Sequence, residues 1–260
     1  MNKLVRLAGV AAVCALVQGG TVAATAAQAV HGMVNTEAHL KVFHNSVASS
    51  NWSGYGVEGS AKFTDVQGTW VQPTATCKGK GTKYSSFWVG IDGYNSNSVE
   101  QLGSDSDCDG TVPTYYAWWE MYPAASVNLS PSKYPVQAGD TLTAEVSVSG
   151  SSFTLSLKSS RGWTFTKVKT GSASLKQESA EWIAESPEVG ASLAKLANFG
   201  TVGFTNCVAA AGGSDEPISS FTGKSGPHEI TMVTSKGVTR AAPSVLDSAG
   251  NAFSITWAHA

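Results

Sequence analysis

Alternation of apolar and polar residues with a period of two dominates the chain from Ser49 onward. Residues 142–148 are apolar at every second position, a Ser149-Gly150-Ser151 turn follows, and residues 153–157 alternate again. Successive side chains of a strand point to opposite faces, so this pattern indicates half-buried strands joined by short turns. Turn signals such as Asp92-Gly93 and Asp109-Gly110 recur, and residues 252–257 form a further alternating strand. The pattern predicts an all-β fold, an antiparallel sandwich or barrel.

Residues 190–198 are the one segment with a helical pattern, and we expect a brief helix there. The sequence contains neither a linker nor an internal repeat. About 210 residues after the N-terminal segments are enough to bury one sizeable core. We therefore expect a single domain from 49 to 260.

The N-terminus is typical of a secretory signal peptide over residues 1–29. Lys3 and Arg6 precede an apolar run over 7–17, and Ala27-Gln28-Ala29 is a small-residue cleavage site, with Ala24-Thr25-Ala26 as the alternative. The run is too short to span a membrane, and no later segment reaches about 18 apolar residues. We expect a secreted, extracellular monomer that does not bind membranes, with residues 30–48 as a short leader or pro-segment.

Net charge excludes one class of partner. Two of the 17 Lys and Arg residues lie in the predicted signal and none of the 19 Asp and Glu does, so the mature chain carries 15 − 19 = −4. Nucleic-acid binding requires a basic patch, so we expect no such partner. The charged fraction is 14%, against about 25% in an average soluble domain. A surface made polar by Ser, Thr, Asn and Gln changes little with pH, which is compatible with acidic surroundings.

Three cysteines remain after the predicted signal is removed. Cys77 and Cys108 lie in polar, turn-rich segments, whereas Cys207 lies in the apolar run 202–208. Cysteines of exported proteins tend to pair. We expect a Cys77–Cys108 disulfide, which stabilises the fold by about 3–4 kcal/mol on the chain-entropy model, and a buried free thiol at Cys207.

The segment 115–122 holds five aromatic side chains and one carboxylate. In a strand, alternate residues share a face, so one face carries Tyr116, Trp118, Glu120 and Tyr122, and the core face carries Ala117, Trp119 and Met121. A carboxylate among large rings is either held by hydrogen bonds or has a shifted pKa, and both mark functional sites. A purely structural buried Glu120 is the alternative.

Several catalytic motifs are missing from the sequence. It has no Asp-Thr-Gly or Asp-Ser-Gly pair, no His-Glu-x-x-His and no Gly-x-Ser-x-Gly. Beyond residue 48 only His228 and His259 remain. A Ser/His/Asp, Cys/His or metal mechanism would therefore rest on His228 alone, and we expect neither a metal nor a cofactor.

Carboxylates and amides remain as candidates. Gln101 lies on the face opposite Leu102 in the strand over 97–105. Glu185 lies at the end of the strand 179–186, which Pro187 terminates because proline cannot donate to a ladder. Each residue taken alone also has an ordinary explanation, a solvated Glu or a Gln that pairs across a sheet.

Five motifs in order resemble those of the glutamic peptidases (eqolisins), which are secreted, acid-acting endopeptidases. The resemblance covers about 51–257 and rests on Asn51-Trp52-Ser53-Gly54-Tyr55, Trp88-Val89-Gly90-Ile91-Asp92-Gly93, Glu100-Gln101-Leu102-Gly103, Tyr116-Ala117-Trp118-Trp119-Glu120-Met121-Tyr122-Pro123 and Ala180-Glu181-Trp182-Ile183-Ala184-Glu185. Two features depart from the family pattern. The leader is short, and Ser104, next to Asp105, stands where an aromatic residue is common.

The resemblance implies a two-sheet antiparallel β-sandwich similar to lectins of the concanavalin A type, and it implies polypeptide substrates. It places the catalytic pair on Gln101 and Glu185. The supporting or substrate-binding residues of the cleft would be Trp52, Asp92, Asp105, Trp118, Glu120 and Tyr122.

That chemistry suits the residue types. Ionised Glu185 can deprotonate a water, and the Gln101 amide can stabilise the tetrahedral intermediate. Glu120 then orders the site by a hydrogen bond to Gln101 or to the cleft backbone. The alternatives are a secreted carbohydrate-active enzyme or lectin of the same fold that uses Glu120 and Glu185, and a relative that binds without catalysis.

Overall fold

A computed structural model describes residues 46–172 and 175–260. The predicted signal peptide and most of the predicted leader lie outside the described residues. The strands are β1 Ser46–Ser49, β2 Trp52–Glu58, β3 Phe63–Val71, β4 Thr82–Lys83, β5 Ser86–Ile91, β6 Val99–Asp109, β7 Val112–Tyr122, β8 Val127–Asn128, β9 Thr141–Ser149, β10 Ser152–Ser159, β11 Thr164–Thr170, β12 Ser179–Glu185, β13 Glu188–Val189, β14 Ser192–Leu193, β15 Thr201–Ala211, β16 Glu216–Pro217, β17 His228–Val233, β18 Thr239–Pro243 and β19 Phe253–Trp257. Two short 3₁₀ helices cover Ile218–Ser220 and Gly223–Ser225.

The strands form two layers. The front sheet has the order β1-β17-β2-β12-β5-β6-β7-β8, and the back sheet has the order β11-β10-β9-β3-β15-β19-β18. Pairing between β17 and β18 joins the layers at one edge. All pairs in these two orders are antiparallel except β1 with β17. The expectation of an all-β, two-sheet antiparallel sandwich is confirmed.

The period of two decides which side chains enter the core between the sheets. In β12 all seven residues are buried; Trp182 and Ala184 belong to the large core cluster, whereas Ile183 belongs to a second cluster on the other face. The second cluster contains three indoles, Trp52, Trp88 and Trp118. At its centre, the front sheet therefore has apolar side chains on both faces. Antiparallel sheets commonly leave one face in contact with solvent, so this arrangement is unusual.

Most of the predicted elements are present, and one is wrong. The meander over 142–170 forms β9, β10 and β11, and the terminal strand is β19. The helix expected over 190–198 does not form. Gly190 turns the chain with φ of +69° between β13 and β14, and Leu196 and Asn198 form bridges to Tyr84 and Thr76. A helix does not form because Gly190 has a left-handed backbone conformation and because residues 196 and 198 pair with distant segments. The segment is also too short to form a stable helix by itself.

The predicted cysteine pairing is confirmed. Cys77 and Cys108 form a disulfide with a Cα–Cα distance of 5.4 Å. Cys207 is a buried free cysteine, as expected. Within 46–172 and 175–260, no helix is long and apolar enough to cross a membrane.

Several carboxyl groups are buried or crowded by other acids, and their pKa values rise. Glu100 is fully buried on the core face of β6; burial, followed by the neighbouring Asp92 carboxylate, raises the pKa of Glu100 to about 9. Partial burial, with Glu145 and Asp215 nearby, raises the pKa of Asp65 to about 7. These groups bind protons more tightly in the folded chain than in the unfolded one. Stability is therefore greatest in acid and falls as the pH rises toward the folded-state values.

We expect the melting temperature to fall from about pH 4.5 toward pH 9, because Glu100 alone contributes a slope of about 1.4 kcal/mol per pH unit in that window. The Glu100→Gln variant cannot ionise and should show a shallower fall. Thermal unfolding followed by circular dichroism at several pH values measures both slopes. The exposed Glu216→Gln variant serves as the control and should keep the wild-type slope. A Glu100→Gln slope equal to wild type would contradict this account.

Candidate active site

The register of four adjacent strands aligns the predicted site residues in rows across the outer face of the front sheet. Directly paired residues of antiparallel strands point to the same side. Read from β12 through β5 and β6 to β7, the first row is Glu185, Ser86, Asp105 and Tyr116; the second is Ile183, Trp88, Gly103 and Trp118; the third is Glu181, Gly90, Gln101 and Glu120. Trp52 of β2 continues the first row beyond Glu185. The two residues of the candidate dyad, Gln101 and Glu185, thus lie on the same face of the front sheet. Their strands, β6 and β12, are separated by β5.

Two donors hold the carboxylate of Glu185. Trp88 Nε1 donates to Oε2 at 2.8 Å, and Asn51 Nδ2 donates to Oε1 at 3.2 Å. The side chain of Glu185 is fully buried. Hydrogen bonds from neutral donors favour the ionised form of a buried carboxyl. The two hydrogen bonds therefore hold the carboxyl group of Glu185 in one orientation on the outer face of the front sheet.

A buried carboxylate orients Gln101 as well. Gln101 Nε2 donates to Glu120 Oε2 at 2.8 Å, and both residues are fully buried. The hydrogen bond predicted between Glu120 and Gln101 is thus present. An amide nitrogen carries two hydrogens, so fixing one of them on Glu120 also fixes the direction of the other.

The indole of Trp88 extends from Glu185 toward Gln101, the two residues of the candidate dyad. One end of the ring donates to Glu185. At the other end, a Cβ placed on Gly90 would lie 3.1 Å from Trp88 Cζ3 and 3.0 Å from Gln101 Cβ. Gly103 makes similar room on the next strand, where an added Cβ would lie 2.7 Å from Trp88 Cβ. A Cβ at Gly90 would crowd the indole and Gln101, and a Cβ at Gly103 would clash with the Phe87 carbonyl oxygen, so the absence of a side chain at both positions allows this close packing.

Asp105 is part of a hydrogen-bonded cluster at one end of the rows. Trp118 Nε1 donates to Asp105 Oδ1 at 2.6 Å. The Tyr116 hydroxyl contacts Asp105 Oδ2 and Asp107 Oδ2, each at 2.8 Å. The cluster fixes two aromatic side chains of β7 against the face that carries Glu185.

The other predicted supporting residues have different surroundings. Trp52 packs edge-on against Trp88, with ring centroids 4.9 Å apart. Tyr122 is half-buried and packs against the same cluster. Asp92 instead accepts hydrogen bonds from the backbone N–H groups of 176–178 at 2.8–3.0 Å. Its carboxylate therefore holds the loop before β12 in place.

Four residues that contact the candidate site were not marked by the sequence: Asn51, Trp88, Tyr116 and Asp107. Asn51 and Trp88 both occur in the quoted motifs, and the polar end of a tryptophan in a buried strand is a signal that could have pointed to a buried acceptor. Tyr116 shares the predicted face of β7 with Trp118. Nothing local in the sequence marks Asp107, because its contacts depend on the pairing of β6 with β7.

Arg240 is a further residue that the sequence did not mark. It is buried and donates to Ser50 O at 3.0 Å, Ser186 Oγ at 3.1 Å and Ala194 O at 3.2 Å. Ser50 precedes Asn51 and Ser186 follows Glu185. Arg240 therefore ties together the two chain segments whose side chains meet at Glu185. Among the residues that the structure describes, no cluster of three or more His, Cys, Asp or Glu could hold a metal ion.

Known proteins share both the sequence and the fold. The chain is 31% identical over 193 residues to aspergillopepsin-2 of Aspergillus niger, covering 65% of this chain and 67% of that one. It is 32% identical over 145 residues to scytalidopepsin B of Scytalidium lignicola, covering 54% and 53%. The chain thus spans about half the length of the second relative.

Two solved structures share the fold of this chain. Scytalido-glutamic peptidase with a transition state analog inhibitor has a TM-score of 0.68 at 25% identity, covering 80% of this chain and 98% of that one. Aspergilloglutamic peptidase from Aspergillus niger has a TM-score of 0.56 at 28% identity, covering 68% and 99%. The sequence profile of the Peptidase A4 family matches residues 50–250. The chain therefore belongs to the Peptidase A4 family, and it is a glutamic peptidase.

Proposed function

We propose that this protein is a secreted endopeptidase that hydrolyses polypeptides in acid by means of Glu185 and Gln101. The observation that carries the proposal is the shared face on which both side chains lie, each oriented by its own buried partner. Scytalido-glutamic peptidase has been solved with a transition state analog inhibitor. The same kind of ligand would occupy the face between β12 and β7 here.

In the first step, Glu185 removes a proton from a water molecule, which attacks the peptide carbonyl carbon. The two donors on Glu185 stabilise its ionised form, so the carboxylate can act as a base even in acid. The carbonyl oxygen becomes an oxyanion. Gln101 gives one N–H to Glu120, and the second N–H would donate to that oxyanion.

In the second step, the tetrahedral intermediate collapses. Glu185 now holds the proton from water and transfers it to the nitrogen of the leaving amine. The C–N bond breaks, and Glu185 is ionised again. One amide donor to an oxyanion contributes about 3–4 kcal/mol, judged from analogous deletions. The sequence supplies no nucleophilic serine or cysteine with a paired histidine, and this mechanism needs none.

We also propose that residues 1–29 direct export and that the mature protein is a monomer. The basic start, the short apolar run and the small-residue cleavage site support export. The boundary proposed at 48–49 between leader and domain falls inside β1, which pairs with β17 in the front sheet. A pro-segment ending there would lead directly into the front sheet, which carries the candidate dyad.

A carbohydrate-active enzyme remains the second candidate, and the strand order disfavours it. Glu120 lies on β7 and Glu185 on β12, with β5 and β6 between them. The two carboxylates are thus carried by strands that are not neighbours in the sheet. Glu120 is moreover hydrogen-bonded to Gln101.

The dyad is tested by Glu185→Gln and Gln101→Ala on casein at pH 3–4. Each variant should lose activity by at least about 10³-fold, because one lacks the base and the other lacks the oxyanion donor. Wild-type activity should resist pepstatin and chelators. Near-UV circular dichroism verifies folding. Near-normal cleavage by either folded variant would contradict the dyad, and activity on a glycan panel without activity on casein would support the second candidate.

Glu120 is expected to matter less than Glu185. Glu120→Gln can still hydrogen-bond Gln101 but loses the charge-assisted bond, which corresponds to a loss of about ten- to a hundredfold. Parallel measurement of kcat/KM for Glu120→Gln and Glu185→Gln decides the ranking. The reverse order would make Glu120 the catalytic acid.

Trp88→Phe keeps the ring and removes the donor to Glu185. We expect the acid limb of the kcat/KM profile to move to higher pH by about one unit, since the ionised carboxylate loses the donor at its Oε2. Trp163→Phe is the control, because Trp163 donates to Pro135 O, outside the site rows. An acid limb in Trp88→Phe that coincides with wild type would show that this donor does not tune Glu185.

A further inference from the structure

The buried carboxyl groups of Asp105 and Asp107 both contact the phenol of Tyr116, at the end of the first row of site residues. The hydroxyl oxygen of Tyr116 lies 2.8 Å from Asp105 Oδ2 and 2.8 Å from Asp107 Oδ2. Asp105 is fully buried and Asp107 is 3% exposed. Both distances are those of hydrogen bonds between oxygen atoms.

A count of hydrogens constrains the charge of this cluster. The phenol has a single hydrogen and can donate it to only one of the two carboxyl oxygens. The other contact at 2.8 Å is a hydrogen bond only if that carboxyl carries a proton and donates it to the phenol oxygen. The geometry therefore requires one proton shared within Asp105, Tyr116 and Asp107 beyond the hydrogen of the phenol itself.

The surroundings assign this proton to Asp107. Asp105 accepts at its other oxygen from Trp118 Nε1 at 2.6 Å, a donor that favours an ionised carboxylate. Burial, followed by repulsion from Asp105, raises the pKa of Asp107 well above its usual range, although the hydrogen bonds with Ser85 N–H at Oδ1 and with Tyr116 at Oδ2 act against this. The chain of donors thus runs from protonated Asp107 to Tyr116, and from Tyr116 to ionised Asp105.

The cluster is connected to Glu185 through packed indoles. Trp118, which donates to Asp105, lies in the same buried cluster as Trp88 and Trp52. Trp88 in turn donates to Glu185. If Asp107 loses its proton, two carboxylates compete for one phenol hydrogen and one of the bonds breaks. Tyr116 or Asp105 then moves, and with it Trp118, whose indole donates to Asp105 and belongs to the same buried cluster as Trp88.

We propose that Asp107 and Tyr116 are positioning residues of the peptidase, and that loss of the Asp107 proton sets the neutral-side limb of its pH–activity profile. The inference rests on the proposed function, in which Glu185 must be ionised. That requirement accounts only for the acid limb, because an ionised base alone gives no reason for activity to fall as the pH rises. A second, protonated group is needed, and the shared phenol supplies one.

The other titratable groups near Asp107 are few among the described residues. Tyr84, on the segment before β5, has its pKa raised by burial and then by Asp107, with Asp109 and Asp105 adding to the effect. Burial, followed by Asp105 and Asp107, raises the pKa of Tyr116 far above its ordinary value. Neither phenol ionises near neutral pH. The proton of the cluster is therefore lost from Asp107 rather than from a tyrosine.

Asp107→Asn tests the proposal directly. The amide can accept from Ser85 N–H and donate to the Tyr116 oxygen, as protonated Asp107 does, but it cannot ionise. We expect its neutral-side limb in kcat/KM to move to higher pH by at least about one unit, with the acid limb unchanged. Asp109→Asn is the matched control, since Asp109 is exposed and lies two residues further along β6; its profile should match wild type.

Folding must be followed at every pH, because the fold itself loses stability as the pH rises. Tryptophan fluorescence recorded on the assay samples separates unfolding from reversible loss of activity. If Asp107→Asn does not fold, the smaller and non-titrating Asp107→Ser replaces it with the same expected shift. A neutral-side limb that coincides with wild type in a folded variant would overturn the inference. If Glu185→Gln retained activity, the proposed function would fail instead.

Discussion

Pairing of β12, β5, β6 and β7 in one register is the constraint on which the rest of the site depends. β5, β6 and β7 follow one another along the chain, whereas β12 begins more than 50 residues after β7 ends, yet pairing aligns Glu185 with Asp105, Trp88 with Trp118, and Gln101 with Glu120 in register. A slip of one residue would send each of these side chains to the opposite face of the sheet. Burial of both faces at the centre of the sheet makes such a slip costly.

Packing of the indoles converts this register into chemistry. Trp88 lies over two strands where Gly90 and Gly103 have no side chain, and its N–H reaches Glu185. Trp118 uses its own N–H to hold Asp105. Each indole thus fills the apolar cluster and satisfies a buried carboxylate. Acid groups that would otherwise be too costly to bury are accommodated because the same rings that bury them also donate to them.

Faces within a strand could be predicted from the sequence, whereas side-chain contacts between strands, apart from the Gln101–Glu120 hydrogen bond, could not. The alternation in 115–122 placed Trp118 and Glu120 together, opposite Ala117, as the structure has them. By contrast, the loop-holding role of Asp92 and the shared phenol of Tyr116 depend on which strands pair. The helix expected over 190–198 was wrong for a similar reason, since its residues bridge to Tyr84 and Thr76. Identification of the dyad came from the resemblance to a family, because an isolated Gln or Glu has no local signal.

The pH dependence of kcat/KM on an internally quenched peptide, measured for wild type beside Glu185→Gln, tests the central claim most directly. The account predicts a bell-shaped wild-type profile in acid whose acid limb reports ionisation of Glu185. The variant should retain only a small residual rate without that limb. A folded Glu185→Gln variant that keeps both the acid limb and a substantial rate would contradict the assignment of Glu185 as the base.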